Sequence, residues 1–155
     1  MSKQVKDEID KKIDYDICCA VGRIYILANN TGYKMKEFSN MFLASDFCKR
    51  AFDTTYSVFQ LEDEYMSMDY LLKEVNLPME DKDIILTEDV AFFIGFIYRY
   101  IYIQTLIPSS VLVSKIPYDY LLNNVYRLIA LDEEDAFEII CKDCNIQDKL
   151  NKHFL

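Results

Sequence analysis

Apolar residues recur along this chain at helical rather than alternating spacing. Ile17, Ala20, Val21, Ile24, Leu27 and Ala28 fall on one stripe, which predicts a helix over residues 16–29. Asn29-Asn30-Thr31-Gly32 ends it, and Gly32 suits a left-handed C-terminal cap. Met35, Phe38, Met41 and Phe42 mark a second helix over 34–43. Ser45 and Asp46 cap a short third helix running through Phe47, Cys48, Ala51 and Phe52. Asp53-Thr54-Thr55 interrupts the pattern, and a fourth helix spans 62–75, its opening carboxylates favoured by the positive N-terminal end.

The pattern then repeats. Asp16-Ile17-x-x-Ala20-Val21-Gly22-x-Ile24-Tyr25 returns as Asp89-Val90-x-x-Phe93-Ile94-Gly95-x-Ile97-Tyr98. Tyr56, Leu61 and Glu62-Asp63-Glu64 reappear as Tyr126, Leu131 and Asp132-Glu133-Glu134. The second half predicts a long helix from Thr87 or Glu88 to Thr105, with Thr87 as N-cap, and another from Pro108-Ser109-Ser110 to near Pro117. Helices over 118–126 and 132–144 follow. The expectation is an all-α fold of two tandem, related four-helix modules packed into one compact domain. Its parts are a charged extension (1–13), module one (14–75), a proline-containing linker (76–87), module two (88–146) and a tail (147–155). Each half alone is near the size at which a single core is marginal, so the helices carrying Gly22 and Gly95 are natural faces to join, the alternative being that each glycine fits the core of its own module.

Composition supports helices. Among 155 residues there are only three Gly and three Pro, too few for the frequent turns of an all-β fold, while ten Phe and twelve Tyr supply a core. A formal net charge of −9 weighs against direct contact with nucleic-acid phosphates and favours a basic protein partner, or simply solubility. The first eight residues carry no apolar h-region, so no secretory signal is expected. The longest apolar stretch, Val90 to Ile107, is interrupted by Arg99 and Gln104 and reads as a buried helix, not a membrane span. Five cysteines without an export signal read as reduced thiols in the cytoplasm.

Catalytic chemistry is hard to assemble. The lone histidine, His153, lies at the end of the tail, and no phosphate-cradling glycine loop is present. Cys141-Lys-Asp-Cys144 would need two more ligands to hold zinc; Cys18 and Cys19 are available, but Cys18, Cys19 and Cys141 occupy positions that the repeat fills with apolar residues. The acidic runs open helices, where carboxylates serve capping and the helix dipole. No catalytic residue, metal or cofactor is therefore expected, and the chain reads as non-enzymatic. Arg99 stands out among Tyr98, Tyr100 and Tyr102, because the repeat places Ile26 at its position. Either it is held by an internal ion pair or reaches water, or it anchors a binding face with those tyrosines and Tyr126.

Around Gly95-Phe96-Ile97-Tyr98-Arg99-Tyr100 the chain resembles a group of small bacterial antitoxin-like proteins with a Gly-[Tyr/Phe]-Ile-Tyr-Arg-Tyr core, encoded near ADP-ribosyltransferase-like toxins. Thr105, Pro108-Ser109-Ser110, Pro117, Tyr126 and Leu131-Asp132 fall in the group's order. It departs where the group's tryptophan becomes Ile101, its turn glycine Leu106 and its His-Thr pair Ile129-Ala130. The resemblance implies an antitoxin or regulator that occludes a basic partner protein. Two other functions fit the residues: an acidic mimic of nucleic acid that inhibits a nucleic-acid-binding enzyme, or a small-molecule sensor.

Overall fold

The computed structural model describes residues 2–81 and 86–146. The expected tail with His153, and residues 82–85 of the expected linker, lie outside them. The described chain is helical: α1 (Lys3–Thr31), α2 (Met35–Ala44), α3 (Asp46–Ala51), α4 (Glu64–Leu72), α5 (Glu88–Thr105), α6 (Ser109–Lys115), α7 (Tyr118–Asn123), α8 (Val125–Leu128) and α9 (Glu133–Asp143). A 3-10 turn over Val58–Leu61 leads into α4.

Side-chain caps set most of the starts. Ser45 Oγ accepts from the Cys48 amide at 3.0 Å, Asp63 from Met66 at 2.9 Å, Thr87 from Val90 at 3.3 Å and Asp132 from Asp135 at 2.8 Å. Gly32 closes α1 with φ at 100°, as its sequence position suggests. The charged extension is helical and forms the first turns of α1, begun by Ser2, whose Oγ accepts from the Val5 amide. Two elements differ from the periodic reading. The fourth helix starts later than expected because Asp63 caps it instead of belonging to it. The helix expected over 118–126 breaks at Asn124, whose amide turns back to donate to the Tyr120 carbonyl at 2.8 Å.

The molecule is built on the seam between α1 and α5, which run antiparallel: Asn30 meets Glu88 at one end, and Tyr15 packs edge-on against Phe96 towards the other. The seam is tight because glycine lies on both sides of it. A Cβ at Gly22 would sit 2.6 Å from the Phe92 ring, and one at Gly95 2.6 Å from Tyr25 and 2.9 Å from the Val21 carbonyl oxygen. α4 packs on α1 and α9 on α5, while α2 lies against α6. An aromatic cluster fills the first half, with Tyr25 edge-on to Phe38 and Phe42, its hydroxyl 2.7 Å from Ser39 Oγ.

The expected linker is fastened rather than loose. Lys34 N donates to the Pro78 carbonyl and Glu80 N to that of Gly32, forming an isolated antiparallel bridge between Tyr33 and Met79. The buried Asn29 side chain grips Leu86, donating to its carbonyl at 2.6 Å and accepting from its amide at 3.2 Å. Among the described residues no single helix is long and apolar enough to cross a membrane.

Candidate functional site

Arg99 is not at the surface. It is 5% exposed, facing the loop after α3. Its guanidinium carbon lies 4.7 Å from the Tyr102 ring centroid, and one terminal nitrogen donates to the Thr54 carbonyl at 3.4 Å. Nε and the other terminal nitrogen have no hydrogen-bond partner among the described residues. Burial pulls its pKa down, opposed by Cys18, Tyr102, Cys48 and Asp53. The guanidinium stays charged, and the Tyr102 ring face supplies part of the stabilisation that water no longer gives. Asp53 is occupied elsewhere: it accepts from the Ser109 amide at 2.8 Å and from Ser109 Oγ at 2.5 Å, holding the start of α6. Among the described residues no carboxylate forms an ion pair with Arg99; an aromatic face and one carbonyl stand in its place.

The other residues singled out in the sequence separate. Tyr98, 1% exposed, donates to the Ile116 carbonyl at 2.7 Å and is a core residue. Tyr126 is 79% exposed, on α8. Tyr102 is committed to Arg99. Tyr100 borders an open cleft. The expected face of Arg99 with four tyrosines is thus corrected: consecutive positions on α5 point in different directions around a helix that is covered on most sides, so Tyr98 and Arg99 face inward.

Tyr100 leads to a different arrangement. A cleft of about 430 Å³ opens between the first half of α1, the end of α5 and the first turn of α9. Asp14, Asp132, Glu133 and Glu134 line it together with Tyr15, Tyr100, Gln104 and a single cation, Lys11. Burial raises the Asp14 carboxyl above the ordinary 3.8; Arg99 opposes the shift and Asp10 adds to it. Burial, with Glu134 and Glu133 close by, pushes the Tyr100 phenol up to about 12. A second cleft of about 440 Å³ adjoins, sharing Tyr15 and Glu133 and walled by Phe92, Phe93, Phe96 and Ile129 with Asp89 at its edge. The two clefts lie side by side across Tyr15 and Glu133, the first lined mainly by carboxylates and the second by aromatic rings, and together they are called the groove. Such a lining suits a guanidinium or ammonium group carried on an apolar segment.

The sequence identified the acidic run at 132–135 as a helix opening, which it is. What it could not show is that Asp14 and Tyr15, over a hundred residues away, come to the same place. The signal was an acidic residue within the apolar phase of α1: Asp14 lies one turn before Cys18, on the side of the helix that meets the end of α5.

The cysteines stay dispersed. Burial pushes Cys48 up to about 12 and raises Cys18 further, and among the described residues no group of three or more His, Cys, Asp or Glu side chains could hold a metal ion. Comparison of the chain with protein-family models, with curated proteins and with solved structures finds no match.

Proposed function

We propose that this protein is a non-enzymatic interaction module that binds a basic partner protein through the groove between α1, α5 and α9. The observation that carries the reading is the convergence of four carboxylates and two tyrosines from three separate helices on one cleft that continues into an aromatic trough. Asp14 adds to it, as a partly desolvated carboxylate without an ion pair or hydrogen bond among the described residues, which a cationic side chain would stabilise. A toxin-type partner, as the resemblance of the Gly95–Tyr100 segment implies, is one source of such a basic segment.

We also read the scaffold as two tandem modules about a pseudo-twofold axis. Support comes from the pairing of corresponding helices: α1 with α5 and α2 with α6, with α2 touching α7 as α3 touches α6. In that reading the groove has no twin, because the acidic position Asp14 and the aromatic positions Phe92 and Phe96 are not matched in the other half.

A titration with an oligo-arginine peptide carrying alternate leucines tests the function. Binding with Kd of about micromolar order, weakening with salt, is expected for a charged groove with apolar walls. Asp14→Asn with Glu133→Gln and Glu134→Gln should abolish it, while Glu62→Gln, Asp63→Asn and Glu64→Gln on α4 should leave it intact. Equal loss from both triple changes would reduce the groove to general surface charge and sink the proposal.

A further inference from the structure

Over its first three turns α1 stands clear of the body. Residues 2–9 and 11–13 are exposed, and Asp10 is half covered, with the Tyr56 hydroxyl 3.5 Å from its carboxylate. Val5, Ile9 and Ile13 are 44, 42 and 37% exposed and form one row at i, i+4 spacing. A helix end that serves only water needs no such row, and β-branched residues lower helix propensity where nothing packs on them. The row does not stop at Ile13. It continues into a cleft of about 670 Å³ where Ile13, Ile17, Ala20 and Val58 are joined by Asp16, the exposed in-chain partner of Lys12, and by Arg23. This surface lies on the opposite side of α1 from Lys11, Asp14 and Cys18, which face the acidic groove.

Charge says what covers it. Between Lys3 and Ile13 four lysines stand against three carboxylates, whereas the whole chain carries −9. Two acidic bodies repel each other, and the projecting end of α1 is where that repulsion is weakest. At about 100° per residue, Glu8 and Lys12 flank the row on one side and Lys6 and Asp10 on the other. Each flank therefore carries both signs, one turn apart.

We propose that the row is a self-association surface on which the projecting end of α1 packs antiparallel against the same segment of a second copy. With the twofold axis near Ile9, Val5 of each copy meets Ile13 of the other. Glu8 then faces Lys12 of the second copy, and Lys6 faces Asp10, so both flanks pair opposite charges. The antiparallel arrangement opposes the helix dipoles and points the first turn of each helix towards the Ile17–Val58 cleft of the other. A parallel pair would leave both clefts empty. The surface is separate from the groove, so self-association and partner binding succeed or fail independently.

Light scattering on the eluting protein tests it. Twice the 18.3 kDa chain mass is expected, with dissociation in about the micromolar range for so small an apolar contact. Ile9→Glu should give the single-chain mass without changing the thermal melt of the diluted protein, since Ile9 lies exposed on the projecting end of α1. Lys12→Glu alone should weaken the dimer at least tenfold, and adding Glu8→Lys should restore it. In mixtures, Val5→Cys chains should cross-link to Ile13→Cys chains. A single-chain mass for the parent at all concentrations, an Ile9→Glu protein that stays dimeric, or cross-links only between identical Val5→Cys chains would overturn the proposal.

Discussion

Alanine at Gly95 and alanine at Gly22 are the same chemical change on two sides of one seam, yet they should differ. A Cβ at Gly95 falls 2.6 and 2.8 Å from Tyr25 ring carbons and 2.9 Å from the Val21 carbonyl oxygen. Ordinary carbon contacts begin at about 3.5 Å, so something must move. Tyr25 cannot: it has no exposure, its hydroxyl is bonded to Ser39, and Phe38 and Phe42 pack edge-on against its ring. The carbonyl belongs to the backbone of α1, so the two helices must separate. At Gly22 the neighbours at 2.6–3.0 Å are all atoms of the Phe92 ring, which is half-buried beside an open cleft and can swing aside. Overpacking costs about 1–3 kcal/mol, and replacing glycine by alanine inside a helix returns about 1 kcal/mol. Because backbone must yield, Gly95→Ala falls in the upper half of that overpacking range and should lose about 1–2 kcal/mol net, or about 2–8 °C in Tm for a chain of this size, while Gly22→Ala stays within about 1 kcal/mol of the parent. Urea unfolding followed by circular dichroism reads both, with an unchanged slope confirming a pure stability effect. If Gly22→Ala proves as costly as Gly95→Ala, the rigidity assigned to Tyr25 and the carbonyl is wrong.

Leu106 ends α5 with φ at 58°, a left-handed conformation its side chain disfavours, and its side chain is 60% exposed. Leu106→Gly should raise stability by about 1 kcal/mol in the same urea assay, and a loss would show that the exposed leucine packs usefully. Arg99→Met removes a buried charge while keeping most of its length, so it should be neutral or stabilising, whereas Arg99→Ala leaves a cavity and should cost about 2 kcal/mol or more. If Met is as damaging as Ala, the charge itself holds the loop at Thr54. Asp14 binds its proton more tightly folded than unfolded, so from pH 3.8 upward through its raised folded pKa stability falls as pH rises. Asp14→Asn should remove that slope and stabilise the protein at neutral pH; an unchanged slope in thermal melts across pH would refute it.

Elements written in local chemistry were legible. Thr87, Ser45 and Asp132 announce helix starts because a side-chain oxygen beside free amides needs no distant partner, and Gly32 announces an end for the same reason. The close approach at Gly22 and Gly95 was legible too, since a missing side chain on an apolar face has few uses other than room. What depends on rotation about a helix was not. One position separates Tyr98 in the core from Arg99 under the loop, and one more brings Tyr100 to the groove. Repeat comparison cannot resolve 100° steps on a helix covered on most sides, and it leaves Asp14, at the start of module one, without a role when it is a wall of the cleft. The break at Asn124 was missed because it rests on a side-chain bond back to Tyr120 that competes with helix continuation.

The seam also dictates the order in which the protein can be made. Its contacts join residues seventy apart in sequence, Gly22 with Phe92 and Tyr25 with Gly95. Loop closure on that scale must be met before either helix gains from the other, which slows folding relative to bundles of local helical hairpins. During synthesis α1 leaves the ribosome long before α5 exists, and Val21 and the surface of Tyr25 that will receive Gly95 face water until it does. The interval in which this protein is exposed to misassembly is thus set by the time needed to translate the stretch between Gly32 and Thr105.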